Sequence, residues 1–289
     1  MTDVSAAPEL AVKALLRVID GQRTSDGAGV TLYRSLGQSP HVRLDPFLML
    51  DEFGSDQPNE YIAGFPAHPH RGFQTVTYML AGHMLHEDHL GNRGHLESGG
   101  VQWMTAGRGI IHSEMPQQDS GLMRGFQLWI NLPAREKMRP AEYQDLAPDS
   151  IPVYDEPSGL TVKVIAGVLQ RADVQIRGPI AGVSTQPVFW DVHLPAGGEF
   201  HQPLDYHHNT FVYVYEGELE GLQARQGGIF GVGAALRLRA LQRDTRCLVL
   251  AAKPIGEPVV QYGPFVMNTR EEIDQAISDY RSGRLVATS

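Results

Sequence analysis

The sequence predicts an all-β chain folded as two tandem barrels, with one short helix near its C-terminal end. Three observations carry that expectation. The 31 glycines and 19 prolines are spread along the whole chain and punctuate short runs rich in β-branched and aromatic residues, as many short strands joined by turns require. Apolar residues recur with a period of two, and short stretches of the first half can be laid on stretches of the second.

The period of two is clearest where Phe126, Leu128, Ile130 and Leu132 fall on one face, and again where Val188, Trp190, Val192 and Leu194 do so. Each is read as a strand with one face toward a core. The internal match aligns Thr75 to Tyr78, followed by Gly82, with Thr210 to Tyr213, followed by Gly217; Gly99-Gly-Val101 likewise matches Gly227-Gly-Ile229. Order is kept and spacing nearly so, as a repeated barrel with one variable loop would show. Helical spacing is confined to the end of the chain. Thr269 followed by Glu272 forms a capping-box pattern, and Ile273, Ala276, Ile277 and Tyr280 recur before Gly283.

A chain of 289 residues suits two domains. Between Asn131 and Glu156 it turns polar and gains Pro133, Pro140, Pro148 and Pro152, which reads as a crossover rather than core strand. The expected division is therefore near residue 145, giving domains 1–145 and 146–289, the second carrying the helix.

Composition excludes several classes of function. With 33 acidic against 24 basic residues the net charge is −9, so no global positive field draws the protein to nucleic acid or anionic lipid. The first ten residues carry Asp3 and Glu9 and no apolar run, which is wrong for a signal peptide, and nowhere does an apolar run approach the roughly 18 residues of a membrane span. A cytoplasmic protein is expected, without direct nucleic-acid or membrane contact. Cys247 is the single cysteine, so no internal disulfide and no multi-cysteine metal site can form. Any metal must be held by histidine and carboxylate.

Candidate ligands of that kind stand in two pairs. Residues i and i+2 of a strand face the same side, so His68 and His70 present two imidazoles to one point, and His112 and Glu114 present an imidazole and a carboxylate. On neighbouring strands the two pairs surround one cation with three nitrogens and one oxygen and leave positions open, as catalytic sites do. Twelve histidines make a chance His-x-His unremarkable, and alone such a pair reads more simply as surface or structural. The setting weighs against chance, because Gly72, Gly82 and the glycines of Ala106-Gly-Arg-Gly109 allow the bends that aim side chains into a barrel mouth.

The second half offers an internal control. Aligned on Gly217 it places Pro203 and Asp205 where His68 and His70 stand, and aligned on Gly228 it places Ala240 and Gln242 opposite His112 and Glu114. A metal-free second barrel is expected, with His201, His207 and His208 as surface or interface groups. Around the first site, Met79, Trp103 and Met104 are wall candidates whose simpler reading is barrel core. Arg71 and Arg108 are read as an anion contact or a structural anchor, and one residue among His86, Asp88, His89 and His95 as a partner that orients a ligand histidine.

The stretches His68-Pro-His-Arg-Gly-Phe-Gln-Thr-Val-Thr-Tyr78, His86-Glu-Asp88 and Gln102-Trp-Met-Thr-Ala-Gly-Arg-Gly-Ile-Ile-His-Ser-Glu-Met-Pro116 closely resemble the pirin family. The likeness continues through Phe126 to Pro133 and Gly263 to Thr269, and so covers nearly the whole chain. It implies a bicupin, two jelly-roll-like cupin barrels of which the N-terminal one holds a single divalent metal. That metal would be iron(II), with Mn, Ni, Co, Cu or Zn as alternatives, on His68, His70, His112 and Glu114. Gln74 departs from the glutamate common at that position.

For function the resemblance implies either O₂-dependent cleavage of a flavonol such as quercetin, or an iron-dependent, redox-responsive regulator that binds a transcription factor or a metabolic enzyme. The dioxygenase reading expects a small aromatic substrate and O₂, with Glu114 as general base; the regulator reading expects a protein partner. A monomer is expected, since one chain already pairs two barrels.

Overall fold

The computed structural model describes residues 11–171 and 174–286; the first ten residues, read above as no signal peptide, lie outside them. The chain forms two compact units, each a β-barrel built on a seven-stranded antiparallel sheet, which a four-stranded sheet completes in the first and three two-stranded sheets complete in the second, and neither is a continuous stretch of sequence. Among the described residues, one unit comprises 20–152, 178–186 and 254–286; the other comprises 11–19, 153–171, 174–177 and 187–253. The division therefore departs from a single cut near residue 145, because the chain ends are exchanged. The C-terminal segment with its helix packs in the first barrel, and the N-terminal strand Leu15–Asp20 is the edge of the second barrel's sheet.

The first barrel has a seven-stranded sheet in the order Glu142–Leu146, Val101–Thr105, Phe73–Ala81, Met123–Asn131, Phe47–Ser55, Val30–Leu36, Gln22–Asp26. A four-stranded sheet faces it in the order Phe65–His70, Ile110–Pro116, His83–Asp88, Arg93–Glu97. In the second barrel the large sheet runs Leu15–Asp20, Gln226–Phe230, Asn209–Glu216, Thr245–Ala252, Val188–Leu194, Thr161–Ala166, Val153–Asp155. The two sheets correspond position by position, and the matched stretches at Thr75 and Thr210 fall on equivalent central strands. Only the edge strand differs in origin. The supposed crossover supplies it in the first barrel, as Glu142–Leu146 pairs with Val101–Thr105.

Both predicted apolar faces are buried. Val188, Trp190, Val192 and Leu194 join a continuous aliphatic cluster with Phe200, Val212, Leu236 and Val249 inside the second barrel. In the first barrel Phe126, Leu128 and Ile130 are fully buried, yet the opposite face of the same strand, with Gln127 and Trp129, lines a cavity. This strand is covered on both sides.

The helix spans Arg270–Arg281, and its capping box is complete: the Glu272 amide donates to Thr269 Oγ1 at 3.2 Å, and the Thr269 amide donates to Glu272 Oε2 at 3.1 Å. Ile273 and Ala276 face inward, whereas Tyr280 remains largely exposed. No helix among the described residues is long and apolar enough to cross a membrane.

Buried charge fixes this segment to the barrel beside the candidate ligands. Arg71 Nη1 bonds Asp279 Oδ2 at 2.8 Å, and the Arg71 backbone exchanges hydrogen bonds with Pro264 and Val266. Gly72, with φ +93°, lies so close to the Val266 carbonyl that a Cβ would collide with it. Lys137, 1% exposed, donates to Gly72 O (2.7 Å), Asn131 Oδ1 (2.6 Å) and Val266 O (2.9 Å). Burial pushes its ammonium down to about 8, so it stays protonated at neutral pH and fills all three of its donor positions. Replacing Lys137 with Met leaves three buried acceptors without a donor and is expected to cost about 3 kcal/mol or more, measured as a lowered midpoint in urea unfolding.

Candidate metal centre

Strand register brings the predicted histidines together. His112 pairs directly with His68 across the antiparallel strands Ile110–Pro116 and Phe65–His70, and a bulge in the latter, where Pro66 and Ala67 stand opposite Ser113, shifts the register so that Glu114 meets Phe65. The bulge turns the end of the strand while both side chains stay inward. The rings of His68, His70 and His112 lie with centroids 4.4 to 4.9 Å apart. One nitrogen from each falls within 4.8 Å of the others, and no second such group of three or more exists among the described residues.

The arrangement of ring nitrogens is that of a ligand set. His68 Nδ1 bonds the Pro66 carbonyl at 2.8 Å, which leaves its Nε2 aimed at His70 Nε2, 3.0 Å away. His112 Nδ1 meets His86 Nε2 at 2.7 Å, and the remaining buried Nε2 of His112 has no hydrogen-bond partner. An unpaired buried nitrogen is costly, and a divalent ion at the point where the three Nε2 atoms converge satisfies all of them. The residues therefore fit a metal. Burial holds His70 and His112 well below the ordinary imidazole value, and neighbouring histidines add to the effect. Both rings are neutral at pH 7, the form that ligates.

Glu114 shares the cavity with His68 and His70 but stands apart from the close cluster. Its carboxylate is 4% exposed and accepts from Thr77 Oγ1 at 2.8 Å on one oxygen and from Gln127 Nε2 at 3.0 Å on the other. Each oxygen keeps a second lone pair. Thr77 and Gln127 were not singled out from the sequence, since nothing in their spacing announces a partner on another strand. Gln74 belongs elsewhere. Thr77 points inward, so three residues earlier Gln74 points outward, where its Nε2 bonds Thr105 Oγ1 at 2.8 Å. The missing glutamate at this position is therefore not a missing ligand.

The other sequence candidates separate cleanly. Arg71 anchors the helix, and the Arg108 carbonyl accepts from Arg71. Met79 packs in a core cluster with Phe53 and Met84, Met104 packs with Ala106 and Ile110, and Trp103 faces outward with Gln74; none lines the cavity. Of the histidines nearby, His86 is the orienting partner, while His95 bonds His83 and His89 accepts from the Ile111 amide.

The histidine cluster opens into a cavity of about 630 Å³, which falls in the size range of small-molecule sites. Leu48, Met49, Phe53, Phe65, Trp129 and Pro264 form its apolar walls. Trp129 and Phe73 pack edge-on against the His70 ring and hold its orientation.

Comparison with known proteins agrees with this geometry. The family model described as Pirin matches residues 29–130, and the Pirin C-terminal cupin domain matches residues 189–286. A pirin-like protein of Caulobacter vibrioides is 50% identical over 277 residues, covering 94% of this chain and 99% of its own. The chain belongs to the pirin family. A Pseudomonas aeruginosa pirin relative, provisionally named a quercetin 2,3-dioxygenase, is 52% identical and covers 94% of this chain and 97% of its own. The crystal structure of a quercetin 2,3-dioxygenase from Acinetobacter baumannii superposes with a TM-score of 0.87 at 34% identity, covering 96% of this chain and 99% of that one. The bicupin fold of this pirin is thus shown by sequence and by structure.

In this pirin His86 Nε2 bonds His112 Nδ1 and leaves the Nε2 of His112 toward the cluster, and outer partners of that kind typically govern metal affinity by about 10- to 100-fold. A His86→Phe variant is expected to bind a divalent metal about 10-fold or more weakly than the unaltered protein in a chelator competition, with its far-ultraviolet circular dichroism retained.

Proposed function

We propose that this pirin is a metal-dependent dioxygenase that cleaves a flavonol such as quercetin with O₂, using His68, His70, His112 and Glu114 to hold one divalent ion, taken as iron(II). The observation that carries the reading is the cavity: an apolar chamber of about 630 Å³ ends on the imidazole cluster and on one buried carboxylate. A regulator that only senses the state of its metal needs no such chamber beside it. The similarity to proteins named as quercetin 2,3-dioxygenases supports the choice of substrate class.

A divalent ion held there supplies Lewis acidity, which lowers the pKa of a substrate hydroxyl and favours its anion. Glu114 is the proposed general base for that proton. Thr77 and Gln127 each hold one oxygen of the carboxylate, and the remaining lone pairs would serve the ion and the substrate proton. Trp129, Phe53 and Phe65 give the flat rings apolar surfaces and keep water from the anion.

The test is O₂ uptake. Protein reconstituted anaerobically with Fe(II), Mn(II), Ni(II), Co(II) or Cu(II) is expected to consume O₂ on addition of quercetin with at least one metal, and His70→Ala is expected to lose that turnover. Stoichiometric metal binding with no O₂ consumption in any form would remove the flavonol reading and leave a metal-dependent partner-binding module.

A further inference from the structure

The far end of the cavity is polar, in contrast to its walls. Across the large sheet, Arg34 pairs with Asp51, Asp51 with Gln127, and Gln127 with Thr77. These four residues form a row on the inner face, crossing one strand at each step. Gln127 and Thr77 hold Glu114 at one end, and Arg34 stands two strands beyond Gln127, about 10 Å away at the usual strand spacing. That is a span a three-ring aromatic covers.

Arg34 is held rigidly. Its Nε and Nη2 bond the two oxygens of Asp51 at 2.8 and 2.6 Å, and Nη2 also bonds Asp26 Oδ2 at 2.8 Å. Its Nη1 makes no hydrogen bond among the described residues and is not sealed off from solvent. Arg34, Asp51 and Asp26 all line the cavity. Two carboxylates share one guanidinium, so the local charge is negative although a cationic group offers the free donors.

Resting on the flavonol reading above, we infer that Arg34, clamped by Asp51 and Asp26, is a specificity-determining anchor for an uncharged hydroxyl on the substrate ring farthest from the reacting oxygen. The anchor donates from Nη1 to the hydroxyl oxygen, while Asp26, half exposed, is the nearby acceptor for the hydroxyl proton. A carboxylate or sulfate at the same place would gain the Arg34 contact but would face two fixed negative charges. The subsite therefore selects hydroxylated over acidic aromatics. An arginine without its carboxylates would do the opposite.

The experiment is anaerobic calorimetric titration of the metal-loaded protein, in which binding is read without turnover. The probes are 3-hydroxyflavone, its 7-hydroxy and 4′-hydroxy derivatives, and the matching 7- and 4′-carboxylates. At least one hydroxy derivative is expected to bind about tenfold more tightly than the parent, and neither carboxylate is expected to exceed the parent. Arg34→Met is expected to erase the advantage of the hydroxyl, and Asp26→Asn to raise carboxylate affinity about tenfold. Equal affinities for the hydroxylated and parent compounds, or carboxylates preferred by the unaltered protein, would overturn the anchor while leaving the flavonol reading standing. Failure of 3-hydroxyflavone itself to bind would overturn both. If Arg34→Met fails to fold because buried Asp51 loses its partner, Asp26→Asn decides alone, and no gain for the carboxylates would count against the proposal.

Discussion

Everything at the candidate centre depends on one pairing, His112 directly across from His68 on adjacent antiparallel strands. Strand alternation places His70 on the same side as His68, and Glu114 on the same side as His112, so a single cross-strand contact aims four side chains inward. A slip of one residue in either strand would turn its pair away from the other pair. The register is therefore held from both sides, by pairing with His83–Asp88 on one edge and by the docked C-terminal segment behind Arg71 and Gly72.

That dependence gives the exchange of chain ends a purpose. Pro264 lines the cavity, Val266 shares Lys137 with Gly72, and the terminal helix returns Asp279 to Arg71, next to His70. The last part of the chain thus belongs to the barrel that carries the histidine cluster. In the second barrel the equivalent space is filled by aliphatic side chains such as Val212, Val214, Leu236 and Leu238. Two copies of one topology have taken different courses, one packing its interior and the other keeping a cavity.

Much of this was legible in the sequence, for physical reasons that can be named. Period-two alternation announced the strands around Phe126 and Val188, the pair Thr269 and Glu272 announced the helix, and the two i, i+2 pairs announced the three clustered histidines, whereas Glu114 shares the cavity but stands apart from the cluster. What stayed hidden was long-range. A chain end that docks on a remote barrel leaves no periodic trace, which is why a cut near residue 145 misplaced the helix and Leu15–Asp20. The polar row from Arg34 to Thr77 exists only once four strands are in register. Gln74 shows the converse: its place in the motif drew notice, and strand parity removes it from the site.

We propose that one divalent ion is held by the three imidazoles and Glu114. X-ray absorption spectroscopy on protein loaded with one equivalent of Fe(II) or Ni(II) tests it most directly. Three imidazole nitrogens and a carboxylate oxygen in the first shell, with one imidazole lost in His112→Ala, is the result expected. A shell with fewer than three imidazoles, or one unchanged by His112→Ala, would contradict the account.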